Sequence, residues 1–437
     1  MKKRNVISTL LSLCLALAMC IALAVPGFAA TDATSSATKK ESSTGLFAGG
    51  SGTKADPYEI ANVKQLLAIN TDLGANYELV ADIDFSNVKA WLPIGYYSID
   101  IEAMMAGSEE VPEALAFHGT FDGNGHTMKN LKLAAPGLFG TGVFGFTSGN
   151  AYLHDVNIED FAVTSALIAG SLVGWASGKT VIENVNVKNA NNKGLSMVGA
   201  LCGSSNGDVT VKNVKVNGGS AIGGVSLLDG NVELLPGYGQ VGGVIGGADG
   251  TAFANCSVKN FKVVNKISGN DGFGGLAGCA NEAKYVKNCS VENVTIKATA
   301  GPVGYIGGLV GHTGTEAGIK KASKASKITG CSVKNVKIIA SDEAQCVGGL
   351  VGGGTYRSDE QSEPFAYAVS NCSVTNVTMK TGGSIIGSIA GYTGNNSSVK
   401  SCTAKNVKLN GKTLYAKVGA DPSVIPYTEL IQFGGAL

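Results

Sequence analysis

Few residues in this chain are equipped for chemistry. Histidine occurs four times, at His118, His126, His154 and His312. None lies in an H-E-x-x-H pattern, so the helix-borne zinc site of a metallopeptidase is not expected. Asp122 and His126 are spaced as an acid/base pair, but Asp122-Gly123-Asn124-Gly125 reads first as a tight turn. No phosphate-binding glycine loop occurs. Cysteine has no C-x2-C pair and no nearby histidine, which argues against structural zinc. Polysaccharide cleavage needs grouped carboxylates, or calcium with a basic residue, and no Asp or Glu column at repeat spacing is legible. The expectation is therefore a non-catalytic protein with no catalytic residue, metal or cofactor. A polysaccharide-degrading β-helix lyase or hydrolase is the alternative, and a purely structural spacer is a third reading.

Binding chemistry gathers in two insertions, His312–Lys327 and Gly353–Ala368, in consecutive repeats. The first carries Lys320, Lys321, Lys324 and Lys327. The second carries Tyr356, Arg357, Asp359, Glu360, Glu363, Phe365 and Tyr367. Tyrosine and arginine are enriched at binding hot spots, so Tyr356, Arg357, Asp359, Glu360, Phe365, Tyr367 and His312 are the expected ligand-binding set. The bland reading is that the basic insertion pairs with the acidic one while Phe365 and Tyr367 cover an edge. A third insertion, Ser98 to Ala116, is acidic through Asp100, Glu102, Glu109, Glu110 and Glu113.

Repeated strands must position these groups. An Asn- and Val-rich motif recurs as Asn255-Cys256-Ser257-Val258, Asn288-Cys289-Ser290-Val291, Gly330-Cys331-Ser332-Val333, Asn371-Cys372-Ser373-Val374 and Ser401-Cys402-Thr403-Ala404, with Val156, Val185 and Val214 replacing cysteine earlier. Equivalent positions lie 29, 29, 42, 33, 42, 41 and 30 residues apart. Such periods define a solenoid, propeller or array. The density of glycine and β-branched residues excludes helical repeats, and 29 residues are too few for a four-stranded blade. Three short strands and three turns fit, so the fold predicted is all-β: a right-handed parallel β-helix of seven to eight coils. Alternation in Cys372-Ser373-Val374 turns cysteine and valine inward. The five repeat cysteines are thus expected as small buried hydrophobes with free thiols. Glycines such as Gly307 and Gly308 are explained by positive φ at a corner or close backbone approach. Asn62 to Leu73 has helical periodicity and would form a short N-terminal capping helix.

Lys2, Lys3 and Arg4, the apolar run Val6 to Val25, and Gly27 and Ala29 form a signal peptide over 1–29. A polar linker over 30–45, a cap with first coils over 46–150, repeats over 151–415 and a tail over 416–437 follow. Removing three of the 34 basic residues leaves 31 against 33 acids, which gives no electrostatic footprint for nucleic acid. No later stretch is apolar enough to span a membrane, so a secreted or surface location is expected.

The segment Gly50-Ser51-Gly52-Thr53-Lys54-Ala55-Asp56-Pro57-Tyr58-Glu59-Ile60 resembles the entry of bacterial GLUG-motif surface proteins. Gly119-Thr120-Phe121-Asp122-Gly123-Asn124-Gly125-His126 is similar to a later part of them, and the Gly-Gly-Leu-Val-Gly copies resemble the motif itself. The resemblance spans residues 45–410. It implies an extracellular β-helix of a kind found in adhesin-like proteins and as accessory regions of surface peptidases, and assigns no catalytic residues. Export, the repeat scaffold and the paired insertions add the expectation of an adhesin-like protein that binds an extracellular (host or matrix) glycan or protein.

Overall fold

The structure, a computed structural model, describes residues 45–96, 115–135, 138–165, 167–225, 239–315, 320–354, 365–394 and 396–419. The predicted signal and nearly all of the predicted linker lie outside them.

One rung shows how sequence becomes architecture. Ser326–Thr329 runs along an 11-stranded sheet; Ser332–Lys334 and Lys337–Ala340 lie on a 16-stranded sheet; Ala344–Gly348 and Val351–Gly354 belong to sheets of eight and seven strands. Tyr367–Ser370 then pairs in parallel on Ser326–Thr329, one turn further along. The molecule is a parallel β-helix. Every described strand pairing is parallel except the terminal hairpin of Thr403–Leu409 with Lys412–Thr413.

Like residues stack in register, as alternation requires. Val291, Val333 and Val374 form one internal file. The cysteines preceding them form another, with the N–H of Cys289 3.4 Å from the Cys331 sulfur and that of Cys331 3.4 Å from the Cys372 sulfur. All eight described cysteines are buried free thiols. Burial pushes the Cys202 thiol up to about 12.

The corners have two solutions. After five successive strands of the 11-stranded sheet the chain turns through a left-handed residue: Asp155, Asn184, Asn213, Asn255 and Asn288 have φ of 54 to 55°. Asparagine tolerates this conformation, and its amide reaches the residue one rung earlier. Asn184 donates to Asp155 at 3.0 Å, Asn213 to Asn184 at 2.9 Å and Asn255 to Asn213 at 3.1 Å. At the Gly-Gly corners, close approach rather than positive φ decides the residue. A Cβ on Gly307 would lie 1.9 Å from the Val310 carbonyl oxygen, and one on Gly308 would lie 2.1 Å from that of Gly349.

The N-terminal cap forms as expected. Helix Val63–Ala68 starts at Asn62, whose side chain accepts from the N–H of Gln65, while Gln65 returns an acceptor to the N–H of Ala61, a reciprocal cap. Leu66 and Ile69 enter the core. The number of coils differs from the expectation of seven to eight. Tyr58–Ile60, Asn76–Leu79 and Thr120–Asp122 are three further rungs of the 11-stranded sheet, ahead of the recognisable repeats.

Candidate functional site

Those early rungs assemble what the repeats do not reveal. Glu59, Glu78, Asp122, His154, Glu183 and Lys212 are successive partners on the outward side of the 11-stranded sheet. A carboxylate column therefore exists, against the expectation from sequence. It was hidden because Tyr77 and Phe121, which pair directly, are 44 residues apart and the segment between them carries no repeat motif.

Within this column Asp122 and Asp155 converge on one imidazole. Nδ1 of His154 lies 2.7 Å from Oδ2 of Asp155 and 3.5 Å from Oδ1 of Asp122. Each carboxylate is fixed by its own turn. Asp122 accepts the N–H of Asn124 at 2.7 Å, and Asp155 sits at the left-handed corner accepting from Asn184. The Asp-Gly-Asn-Gly segment is thus a turn, and Asp122 faces His154 rather than His126. His126 instead reaches Asp82, at 3.3 Å.

The imidazole is held in place from one face. Tyr152 stacks on His154 with ring centroids 4.2 Å apart, and its hydroxyl donates to Glu183 at 2.9 Å. Burial, then Glu183, pushes the Tyr152 phenol up to about 12. Burial alone would raise the Glu183 carboxyl, but hydrogen bonds from Lys212 (2.8 Å) and Tyr152 outweigh it and hold Glu183 below its usual range. Glu183 is thereby neutralised by Lys212, whereas Asp122 and Asp155 share one imidazole.

Beside the cluster runs a groove of about 490 Å³ lined by Asp122, Asn124, Gly125, Asp155, Asn157, Asn184, Asn186, Asn213 and Lys215. Its amides are ordered rung to rung: Asn186 donates to Asn157 at 2.8 Å, and Asn157 to the Gly125 carbonyl at 2.7 Å. The groove offers donors and acceptors with a carboxylate end and a lysine end, and no apolar side chain.

Of the predicted ligand set only His312, Phe365 and Tyr367 are among the described residues, and none of the three borders this groove. Tyr356, Arg357, Asp359 and Glu360 fall outside the described residues. Tyr367 is 0% exposed, Phe365 8% and His312 4%, so these three are structural rather than exposed anchors. Alternation turns Tyr367 into the core, where its hydroxyl donates to the Tyr392 carbonyl. His312 packs beside Tyr305, its Nδ1 is 3.2 Å from the Asn281 amide oxygen, and burial lowers its pKa to about 4. The two insertions do meet at their bases, where the N–H of Thr315 donates to the Ala366 carbonyl at 3.0 Å.

No protein-family profile matches the chain. Over 129 residues, 28% of its length, it is 31% identical to Halomucin of Haloquadratum walsbyi, and that match spans 1% of Halomucin. Among solved structures it resembles a Bacteroides ovatus protein described provisionally as an immunoglobulin A1 protease. The TM-score is 0.51 at 17% identity, covering 84% of this chain and 88% of that one. A structure called IgA1 Protease gives a TM-score of 0.44 at 16% identity, covering 84% of this chain and 22% of that one. The first structural likeness agrees with the class seen in the fold, an all-β parallel solenoid. The same likeness contradicts the expectation of a protein without catalysis only so far as that neighbour is itself named as a protease. Among the described residues no helix is long and apolar enough to cross a membrane.

Proposed function

We propose that this chain is a surface or secreted solenoid of the GLUG-motif, adhesin-like type that binds a hydroxyl-rich glycan in the groove beside His154. One observation carries the reading: four successive rungs present Asp122, Asp155, Asn157, Asn184, Asn186, Asn213 and Lys215 to a single groove. Its volume suits a ligand of a few sugar rings, within the range of roughly 300–1,000 Å³ typical of small-molecule sites. A protein partner would be anchored by apolar or aromatic side chains in a dry centre, and the groove lining offers none. Paired amides and carboxylates instead match vicinal hydroxyls, which both donate and accept. The stretch shared with Halomucin supports a surface location.

The test is a glycan array probed with the chain lacking residues 1–29, followed by calorimetry on the best hit. Asn186→Ala and Lys215→Ala should each weaken that hit at least fivefold, and sugar release should be followed in the same samples. Binding that ignores both substitutions, or no binding to any glycan, would overturn the proposal.

A further inference from the structure

We infer that Asp122, His154 and Asp155 form a binding site for a divalent transition-metal ion of the zinc class, placed at the carboxylate end of the groove. The inference rests on the donor geometry and stands whatever the groove itself accepts.

The donor atoms already surround one point. Nδ1 of His154, Oδ1 of Asp122 and Oδ2 of Asp155 include separations of 2.7 and 3.5 Å, and one ligand atom from each residue lies within 4.8 Å of the others. Zinc bound to nitrogen and carboxylate oxygen at about 2.0–2.2 Å places neighbouring tetrahedral ligands about 3.3–3.5 Å apart. The Asp122 contact already has that separation, and the Asp155 carboxylate needs to withdraw by about 0.7 Å, the difference between that edge and its present distance.

Electrostatics points the same way. A proton on Nδ1 can be donated fully to only one of the two oxygens; the Asp155 oxygen lies at 2.7 Å and the Asp122 oxygen at 3.5 Å. Glu78 adjoins Asp122 in the same outward column, and like charges directly opposite on neighbouring strands repel. A doubly charged ion in place of the proton would serve both carboxylates and offset that repulsion.

The choice of ion follows from the donors. One imidazole with two carboxylates suits zinc and its borderline neighbours, whereas calcium takes oxygen ligands only. The surroundings are those of a supported site. Tyr152 stacks on the ring, Asn184 holds the second oxygen of Asp155, and the Asn124 N–H holds Asp122. Such outer contacts orient metal ligands. Three protein ligands leave a fourth position for water or a ligand oxygen, and Asp122 and Asp155 both border the groove.

The experiment is zinc chloride titration by calorimetry on the untagged chain lacking residues 1–29, without glycan, with Co2+ absorption as a second readout. The eight cysteines are buried and should not compete. Asp155→Asn is the informative variant, because asparagine occupies the same left-handed corner at Asn184 and Asn213 and preserves the fold and the amide ladder. The wild type should bind an equimolar amount of zinc and show tetrahedral Co2+ bands. Asp155→Asn and Asp122→Asn should each weaken zinc at least tenfold and lose those bands, with circular dichroism unchanged. Absence of equimolar binding, or equal affinity in the folded variants, would overturn the inference. Glycan binding measured separately on chelator-treated protein distinguishes a failure of this site from a failure of the groove reading.

Discussion

The left-handed corner at Asn213 permits a test of what holds the rungs in register. Its amide donates to Asn184 at 2.9 Å and its oxygen accepts from Asn255 at 3.1 Å, with φ at 55°. Replacement by alanine removes two partly solvated hydrogen bonds, about 0.5 kcal/mol each at the low end of the usual range. It also forces a Cβ-bearing residue without a local polar partner into the left-handed region, about 1.5 kcal/mol. The sum is about 2.5 kcal/mol. Asn213→Gly loses the same bonds and avoids the strain, but returns about 0.5 kcal/mol through the freedom of glycine in the unfolded chain, for a total near 1.5 kcal/mol. Glycine should therefore be the milder substitution by about 1 kcal/mol, consistent with Gly330 at the equivalent corner with φ of 64°. The assay is urea unfolding followed by tryptophan fluorescence. Trp175 lies in Val173–Gly178, on the neighbouring stretch of rungs, and midpoints are compared because repeat proteins can unfold in parts. Equal losses for both variants would refute the conformational argument, and no loss for either would refute the ladder's contribution.

Other consequences are open to direct measurement. The eight thiols should resist a soluble disulfide reagent at pH 8 in the native chain and react fully in denaturant; rapid native labelling of Cys202 or Cys331 would contradict their burial. His312 has a pKa lowered to about 4 by burial, against an ordinary value of 6.5. As pH falls below 6.5 the unfolded state takes up a proton that the folded state refuses, so its contribution is present above 6.5 and lost progressively toward pH 4. The loss is at most about 3 kcal/mol. His312→Gln should flatten that slope, and an unchanged slope would remove His312 as its source.

The scaffold was legible because its inward positions are constrained twice, by burial and by stacking on an identical neighbour. That is why Cys289, Cys331 and Cys372 announced the repeat and proved to share one file. The helix at Val63–Ala68 was equally readable from Leu66 and Ile69. Outward positions carry no such double constraint. The column Glu59, Glu78, Asp122, His154, Glu183 has irregular spacing along the chain and becomes continuous only when the first rungs are stacked. For the same reason Phe365 and Tyr367 looked like ligand anchors: their aromatic character was visible, but not which way the strand entering the next rung would turn them. A clue was nevertheless present, since His154 is followed directly by Asp155, the corner residue of the first recognisable repeat.

The bare-backbone corners at Gly307 and Gly308 also govern how this architecture can diversify. With carbonyl oxygens about 2 Å from where a Cβ on Gly307 or Gly308 would sit, that edge is crowded and takes at most a small side chain, as at Ser171, Ala200 and Ser388 on the second corner position, while the asparagine corners are pinned by their neighbours. Chain of variable length is left to the remaining edges, above all the passage from the seven-stranded sheet into the next rung, where both C-terminal insertions leave and return. One edge of the rod is thus free to acquire new recognition surfaces while the glycine-rich edge is held to small residues, so that binding can change without renegotiating the core.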